Sequence, residues 1–439
     1  MRIEIKKFVF LLFAIYTILP TYFRIGGINS QTLLAGIILL VYLLSVRKIR
    51  INRISLRYCL LFFIPYAIAL ILHMEWFALV RHFFELVILL IIISDYIRSN
   101  EDVLTVIKYI VNLSLFECVT AFIHFAIDFN VFSLLSNTTD INYTRSDYGA
   151  GTQYRFGLPR VEGSFSHAIT FGIYLSVCAI LCLFIYQKSK KKKYLVFYVM
   201  HFIAIFMTLS RMPILVFLFS QLIILMIMNV RKTIKVIFSI AVFLGISLLI
   251  VYLAFPEFSQ RISTVTNLLV SVFDSENISG ISTFNQNSAF SYRTEMFRNI
   301  LPTLGENFLI GVGSNGMSDY SFLMNGTIQR SIDNQYLYFF VVYGVLGFLF
   351  TIFWFGQLLM FRIKKGSVSN KHDLTNFVLY RNLIVLIYGL NLFSVAMMEE
   401  YKIITVFIAI SLSDVILNRK KYFVHSAYFR GLRNIVSKR

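Results

Sequence analysis

Charge is scarce in this chain of 439 residues: only 14% are Asp, Glu, Lys or Arg, against about 25% in a soluble domain. That shortage excludes a soluble enzyme, a disordered chain and a coiled coil. Cysteine is scarce too. The four present, Cys59, Cys118, Cys178 and Cys182, all lie within apolar runs, so a secreted disulfide scaffold is excluded. No small-residue cleavage site follows the first apolar run, which reads as an uncleaved span rather than a signal peptide. No paired Asp motif marks a metal site for a nucleotide sugar, and no Walker lysine follows the glycines at 311–316. No internal repeat is visible, and neither pseudo-symmetric halves nor helices broken at midplane, the marks of a transporter, stand out. The apolar runs are continuous rather than alternating, which excludes a transmembrane barrel.

What the chain has in quantity is apolar sequence, 58% of the residues. Twelve spans of about 20 residues fit that total. They fall near 8–24, 30–46, 57–74, 77–97, 103–127, 166–187, 193–209, 212–230, 235–255, 335–360, 376–397 and 401–418. The expected fold is therefore all-α and polytopic, a single membrane domain over 1–439 with about twelve transmembrane helices. The net charge of +19 invites a nucleic-acid reading, but the positive-inside rule accounts for it better. With both termini in the cytoplasm, every short basic loop falls on the inner side. The inner segments hold 28 of the 41 Lys and Arg, and the outer ones 11. Two outer segments are long, 128–165 and 256–334, the second joining spans 9 and 10. Within it, Phe290, Phe297, Leu301 and Leu304 recur at helical spacing, so a helix near 289–304 is expected to present one apolar face along the membrane surface.

The outer cations are nearly all of one kind: ten Arg and one Lys, whereas the inner set is 16 Lys and 12 Arg. Arginine binds phosphate through two oxygens at once and keeps its charge. The alternative is ordinary pairing with outer carboxylates. As a set, the bias points to an outer cavity for an anionic ligand. Arg211 is the sharpest case. It sits in Thr208-Leu-Ser-Arg-Met-Pro213 between two apolar spans, with Ser210 placed as an N-cap and Pro213 in the first helical turn. A helix N-terminus beside a guanidinium makes an anion site. Arg293 lies in the expected outer helix beside Tyr292. Arg160, Glu162 and His167 lie in Arg160-Val-Glu-Gly-Ser-Phe-Ser-His167, ahead of the sixth span. Gly311-Val-Gly-Ser-Asn-Gly316 is a glycine-rich turn with a weak phosphate-binding signal. Asp333-Asn334 immediately precedes the tenth span, where Asp333 is either a base or a helix cap. Tyr143, Tyr148, Tyr154, Tyr292 and Tyr320 are placed to stack on sugar rings or to sit in the interfacial belt.

These pieces, in this order and on this side of the membrane, resemble the O-antigen polymerase and ligase superfamily (Wzy and WaaL types) over roughly 155–350. The resemblance rests on Arg160-x-x-Gly163-x-Phe165, Thr208-Leu-Ser-Arg211, Arg293, Gly311-x-Gly313, Asp333-Asn334 and Gly344-x-x-Gly347. It implies a bacterial inner-membrane glycosyltransferase, inverting and metal-independent, with no cofactor and no nucleic acid. The donor would be an oligosaccharide linked to undecaprenyl pyrophosphate within membrane lipid, and a chain-length regulator and a flippase are the implied partners. Arg211 and Arg293 would hold the pyrophosphate, and Asp333 would serve as base. Arg160, Glu162, His167, Asn334 and Tyr292 would contact substrate. The ligases carry His-Asn where this chain has Asp333-Asn334, a departure that favours a Wzy-type polymerase. The product would be O-antigen, capsular polysaccharide or exopolysaccharide. A ligase or a lipid-linked saccharide flippase are the alternatives.

Overall fold

The computed structural model describes residues 2–20, 22–45, 52–135, 153–155, 158–227, 296, 298–313, 322–324, 327–329, 332, 334–363, 377–393, 401–418 and 422–424. Its helices are α1 (Arg2–Ile18), α2 (Ser30–Ser45), α3 (Arg53–Leu72), α4 (Trp76–Tyr96), α5 (Asn100–Ile127) and α6 (Ala168–Ser189). They continue with α7 (Lys193–Met207), α8 (Arg211–Ile227), α9 (Gln335–Met360), α10 (Phe377–Asn391) and α11 (Tyr401–Leu417). Helices α4, α5, α6 and α9 are long and apolar enough to cross a membrane, and α3 is a fifth if its two bent halves form one span. Helices α2, α7, α8 and α10 are apolar but shorter. The chain is thus a multi-pass helical membrane protein. The expected span at 235–255 lies outside the described residues, as do much of 128–165 and most of 256–334.

Polar contacts at the helix ends fix how the bundle alternates. At one end Lys6 pairs with Asp102 at 2.6 Å, joining the starts of α1 and α5. Asp102 also accepts the Ser99 N–H while Ser99 accepts its N–H, a capping box that starts α5. Asn418, just past α11, donates to Asn100 at 3.0 Å at that same end. At the opposite end Lys402, near the start of α11, donates to the carbonyls of Leu19, beyond α1, and Ser164, before α6, at 3.0 and 3.4 Å. One apolar cluster runs through the bundle, with α6 at its centre and buried along most of its length. The four cysteines are buried and free.

Three features depart from a purely α-helical expectation. Three short antiparallel hairpins occur, at 24–29, 153–160 and 322–329, and a fourth antiparallel strand pair joins 361–363 to 422–424. The first turns on Gly26 and Gly27, both at positive φ, which glycine adopts without steric cost. Helix α4 contains a π-helical turn, Phe83–Ile88. Helix α9 is broken at Gly344, where φ is 68° and ψ is −174°. The sequence showed no broken helix. The break exists because the backbone of 309–312 packs into it: a Cβ on Gly344 would lie 2.2 Å from the Leu309 carbonyl oxygen, and Val312 N–H donates to Val341 O at 2.9 Å. Within 256–334 the described residues 296 and 298–300 are helical and run into a 3-10 turn, Leu301–Phe308. The buried positions described there are Met296, Ile300 and Leu304, so Leu304 faces the core, while Phe290, Phe297 and the Leu301 side chain lie outside the described residues.

Candidate functional site

The turn between α7 and α8 is the centre of the site. Thr208 closes α7, its hydroxyl donating to Ile205 O at 2.7 Å. Leu209 then takes a left-handed conformation, φ 50°, which costs a side chain with a Cβ roughly 1–2 kcal/mol. Ser210 N–H donates to the Thr208 hydroxyl at 3.3 Å, and Ser210 O accepts the Ile214 N–H at 3.3 Å to open α8. Pro213 falls in the first turn of α8 as expected. It is pinned by α6, since a Cβ on Gly172 would lie 2.8 Å from the Pro213 Cβ. The Ser210 hydroxyl does not act as the expected N-cap. It donates to Thr208 O at 3.1 Å and accepts from Arg160 Nη2 at 3.0 Å.

Three arginines meet at this turn. Arg155 and Arg160 come from the hairpin of Gln153–Arg155 and Leu158–Arg160, whose register pairs Arg155 with Leu158 and Gln153 with Arg160. Alternation along the strands puts positions 155 and 160 on one face. Arg155 Nη1 donates to Leu209 O at 2.6 Å, and Arg160 Nε lies 3.5 Å from Thr208 O. The hairpin continues into Val161, whose N–H donates to Met207 O at 3.3 Å. Arg211, half-buried, opens α8, and among the described residues its buried Nε has no hydrogen-bond partner. Neither Arg155 nor Arg211 has a carboxylate ion pair among the described residues. Burial lowers the Arg155 pKa to about 10, and the charges of Arg160 and Arg211 push it further the same way. Burial also lowers that of Arg160, against the opposing pull of Glu162. Like charges brought together out of water disfavour their own ionised forms, and a bound anion would relieve the repulsion.

The next turn explains Arg160-x-x-Gly163-x-Phe165. Phe165 N–H donates to Glu162 O at 3.1 Å, and Ser164 N–H donates to Glu117 Oε2 at 3.2 Å. Gly163 has φ +57°, and a Cβ there would lie 2.5 Å from Glu117 Oε2 and 2.7 Å from the Phe171 ring. Phe165 packs on Phe171 and Tyr174, with the Lys402 ammonium 3.7 Å from its ring centroid. Glu162 is buried behind this turn, whereas His167 is exposed at the head of α6 and does not cap it. Tyr154 is exposed and its hydroxyl donates to Asp128. Asn334 Oδ1 accepts the Leu337 N–H at 3.0 Å and its Nδ2 donates to Phe393 O at 3.2 Å, so Asn334 caps α9 and ties it to the turn that follows α10. The glycines at 311 and 313 approach other parts of the chain closely, and 314–316 of the glycine-rich turn lie outside the described residues. Gly311 abuts the Val342 backbone, its carbonyl faces His73 Nε2 at 3.0 Å, and Gly313 abuts Glu75 and His73.

Of the residues expected in the site, the structure thus gathers Arg160 and Arg211, places Glu162 just behind them, and leaves His167 at the surface. Arg293, Tyr292 and Asp333 lie outside the described residues. Arg155 is not among the residues the sequence singles out, although it belongs to the set of arginines expected on the outer side and stands five positions before Arg160.

Two comparisons bear on this geometry. No curated protein matches the chain. Residues 196–352, from α7 through the break in α9, match the family described as O-antigen ligase. That family implies O-antigen polymerase or ligase function, glycosyltransferase-like enzymes of O-antigen synthesis acting on lipid-linked saccharide. Since this stretch carries Thr208–Arg211 and the 311–344 seam, the match supports the O-antigen polymerase and ligase superfamily for this chain, without separating the two subtypes.

Proposed function

We propose that the protein is a Wzy-type polymerase, which transfers a growing glycan from undecaprenyl pyrophosphate to an incoming lipid-linked repeat unit at the outer face of a bacterial inner membrane. The observation that carries this reading is the arginine cluster at the Thr208–Arg211 turn, placed at a bundle end with no carboxylate ion pair for Arg155 or Arg211 among the described residues. A lipid pyrophosphate leaves readily if its developing charge is met by cations already in place. Arg211 and Arg160, joined by Arg293, fill that role. Asp333 takes the proton from the acceptor hydroxyl, whose oxygen attacks the anomeric carbon. The bond to the pyrophosphate breaks with inversion, and its electron pair stays on the departing phosphate oxygen. No metal or cofactor enters this scheme. Glu162, His167, Asn334 and Tyr292 belong to the saccharide-contacting surroundings, Asn334 through its place beside Asp333. Twelve spans with both termini in the cytoplasm accompany the reading. The O-antigen ligase and the flippase are the alternatives. The break in α9 does not favour the flippase, because the backbone of 309–312 fills it. Polymerase and ligase differ in product. Purified protein incubated with a lipid-linked repeat unit is expected to yield a ladder on a gel. A single attachment to a different acceptor would favour the ligase.

A further inference from the structure

The hairpin at 153–160 does more than add charge. Leu209 is held in a backbone conformation that its side chain disfavours, and the guanidinium of Arg155 grips the carbonyl of that same residue at 2.6 Å. Arg160 holds the flanking Ser210 hydroxyl at 3.0 Å. Arg211 follows directly, as the first residue of α8, so the direction in which it leaves the turn depends on the geometry of 208–210. A left-handed leucine persists only where its surroundings over-determine it. Among the described residues, Arg155 is the side chain that bonds the Leu209 carbonyl. We propose that Arg155 is a positioning residue for lipid-pyrophosphate binding, acting through Leu209 to hold the turn that aims Arg211, while its own charge makes the site a cluster of three cations. This rests on the reading of Arg211 as a pyrophosphate contact.

The electrostatic arrangement agrees. Arg155 is held beside two other guanidinium groups, both of which weaken its hold on its proton. A pyrophosphate diester carries two negative charges spread over two phosphorus centres and matches such a cluster better than a phosphodiester with one charge would. The backbone bond leaves the other guanidinium nitrogens of Arg155 outside its contact with Leu209. Its contribution therefore has two parts, geometry through the turn and field at the anion, and substitutions separate them.

Binding of undecaprenyl pyrophosphate to the full chain in nanodiscs is the test, with gel filtration confirming that each variant is folded. Arg155→Ala is expected to weaken binding by roughly tenfold to a hundredfold, the range for losing one charge-assisted hydrogen bond. Adding Leu209→Gly to Arg155→Ala is expected to recover roughly fivefold to tenfold, since glycine adopts the left-handed turn without the clamp. Arg155→Lys keeps a charge but not the planar fork and is expected to fall between wild type and Arg155→Ala. Binding by Arg155→Ala within twofold of wild type would overturn the proposal, and so would a double variant no better than Arg155→Ala. If Arg211→Ala binds as tightly as wild type, the pyrophosphate reading of the turn fails, and this proposal fails with it.

Discussion

Gly163→Ala is the substitution whose cost can be worked most directly from the structure. The residue sits at φ +57°, where a Cβ meets its own backbone at a cost of roughly 1–2 kcal/mol. The new methyl would also lie 2.5 Å from Glu117 Oε2 and 2.7 and 2.9 Å from two carbons of the Phe171 ring. Glu117 is held by the Ser164 N–H, and Phe171 is buried at the head of α6, so neither moves freely. Overpacking of that kind typically costs about 1–3 kcal/mol. Together the two effects give about 2–5 kcal/mol, measured by SDS unfolding in mixed micelles against wild type. The paired control is Gly36→Ala. Gly36 lies inside α2, where a Cβ would meet nothing within 4 Å, and alanine there is expected to stabilise by roughly 0.5–1 kcal/mol. A Gly163→Ala effect below about 0.5 kcal/mol would refute the geometry of the 162–165 turn.

Three further expectations follow from the proposed chemistry and topology. Arg293→Ala should slow polymer formation by about two to four orders of magnitude if it shares the pyrophosphate, and near wild-type polymer at equal expression would remove it from the site. Asp333→Asn should lose roughly a hundredfold to ten-thousandfold in rate with unchanged stability, because Asn334 already caps α9. Normal polymerisation by that variant would exclude Asp333 as the base. Cysteines placed at Ser275 and Ser437 should label from outside and from inside respectively, and outside labelling at Ser437 would overturn the topology.

The helices were legible because continuous apolar runs leave little choice of structure in lipid, where backbone groups must be satisfied internally. The hairpins were not. Strands of two or three residues such as Gln153–Arg155 carry no periodicity to detect, so the pairing that sets Arg155 beside Arg160 was invisible. Arg211 was legible from its position between two apolar runs and Pro213. Its neighbours were only partly so: Ser210 has the residue type of an N-cap, but its hydroxyl is taken by Arg160 and the Thr208 carbonyl instead. The glycines at 311 and 313 suggested a phosphate loop because backbone–phosphate and backbone–backbone approaches demand the same residue. Here Gly311 approaches the broken α9. Asp333 and Asn334 both have cap chemistry, and which one caps depends on where α9 begins, a boundary that composition does not fix.

The central claim is that the Thr208–Arg211 turn holds the pyrophosphate of a lipid-linked donor. Its most direct test is the rate of transfer by purified Arg211→Ala from a defined undecaprenyl-pyrophosphate-linked repeat unit, set beside Arg211→Lys and wild type. The account predicts a loss of about two to four orders of magnitude for the alanine variant, with lysine failing to restore full activity because the bidentate fork is gone. Transfer by folded Arg211→Ala at the wild-type rate would contradict it.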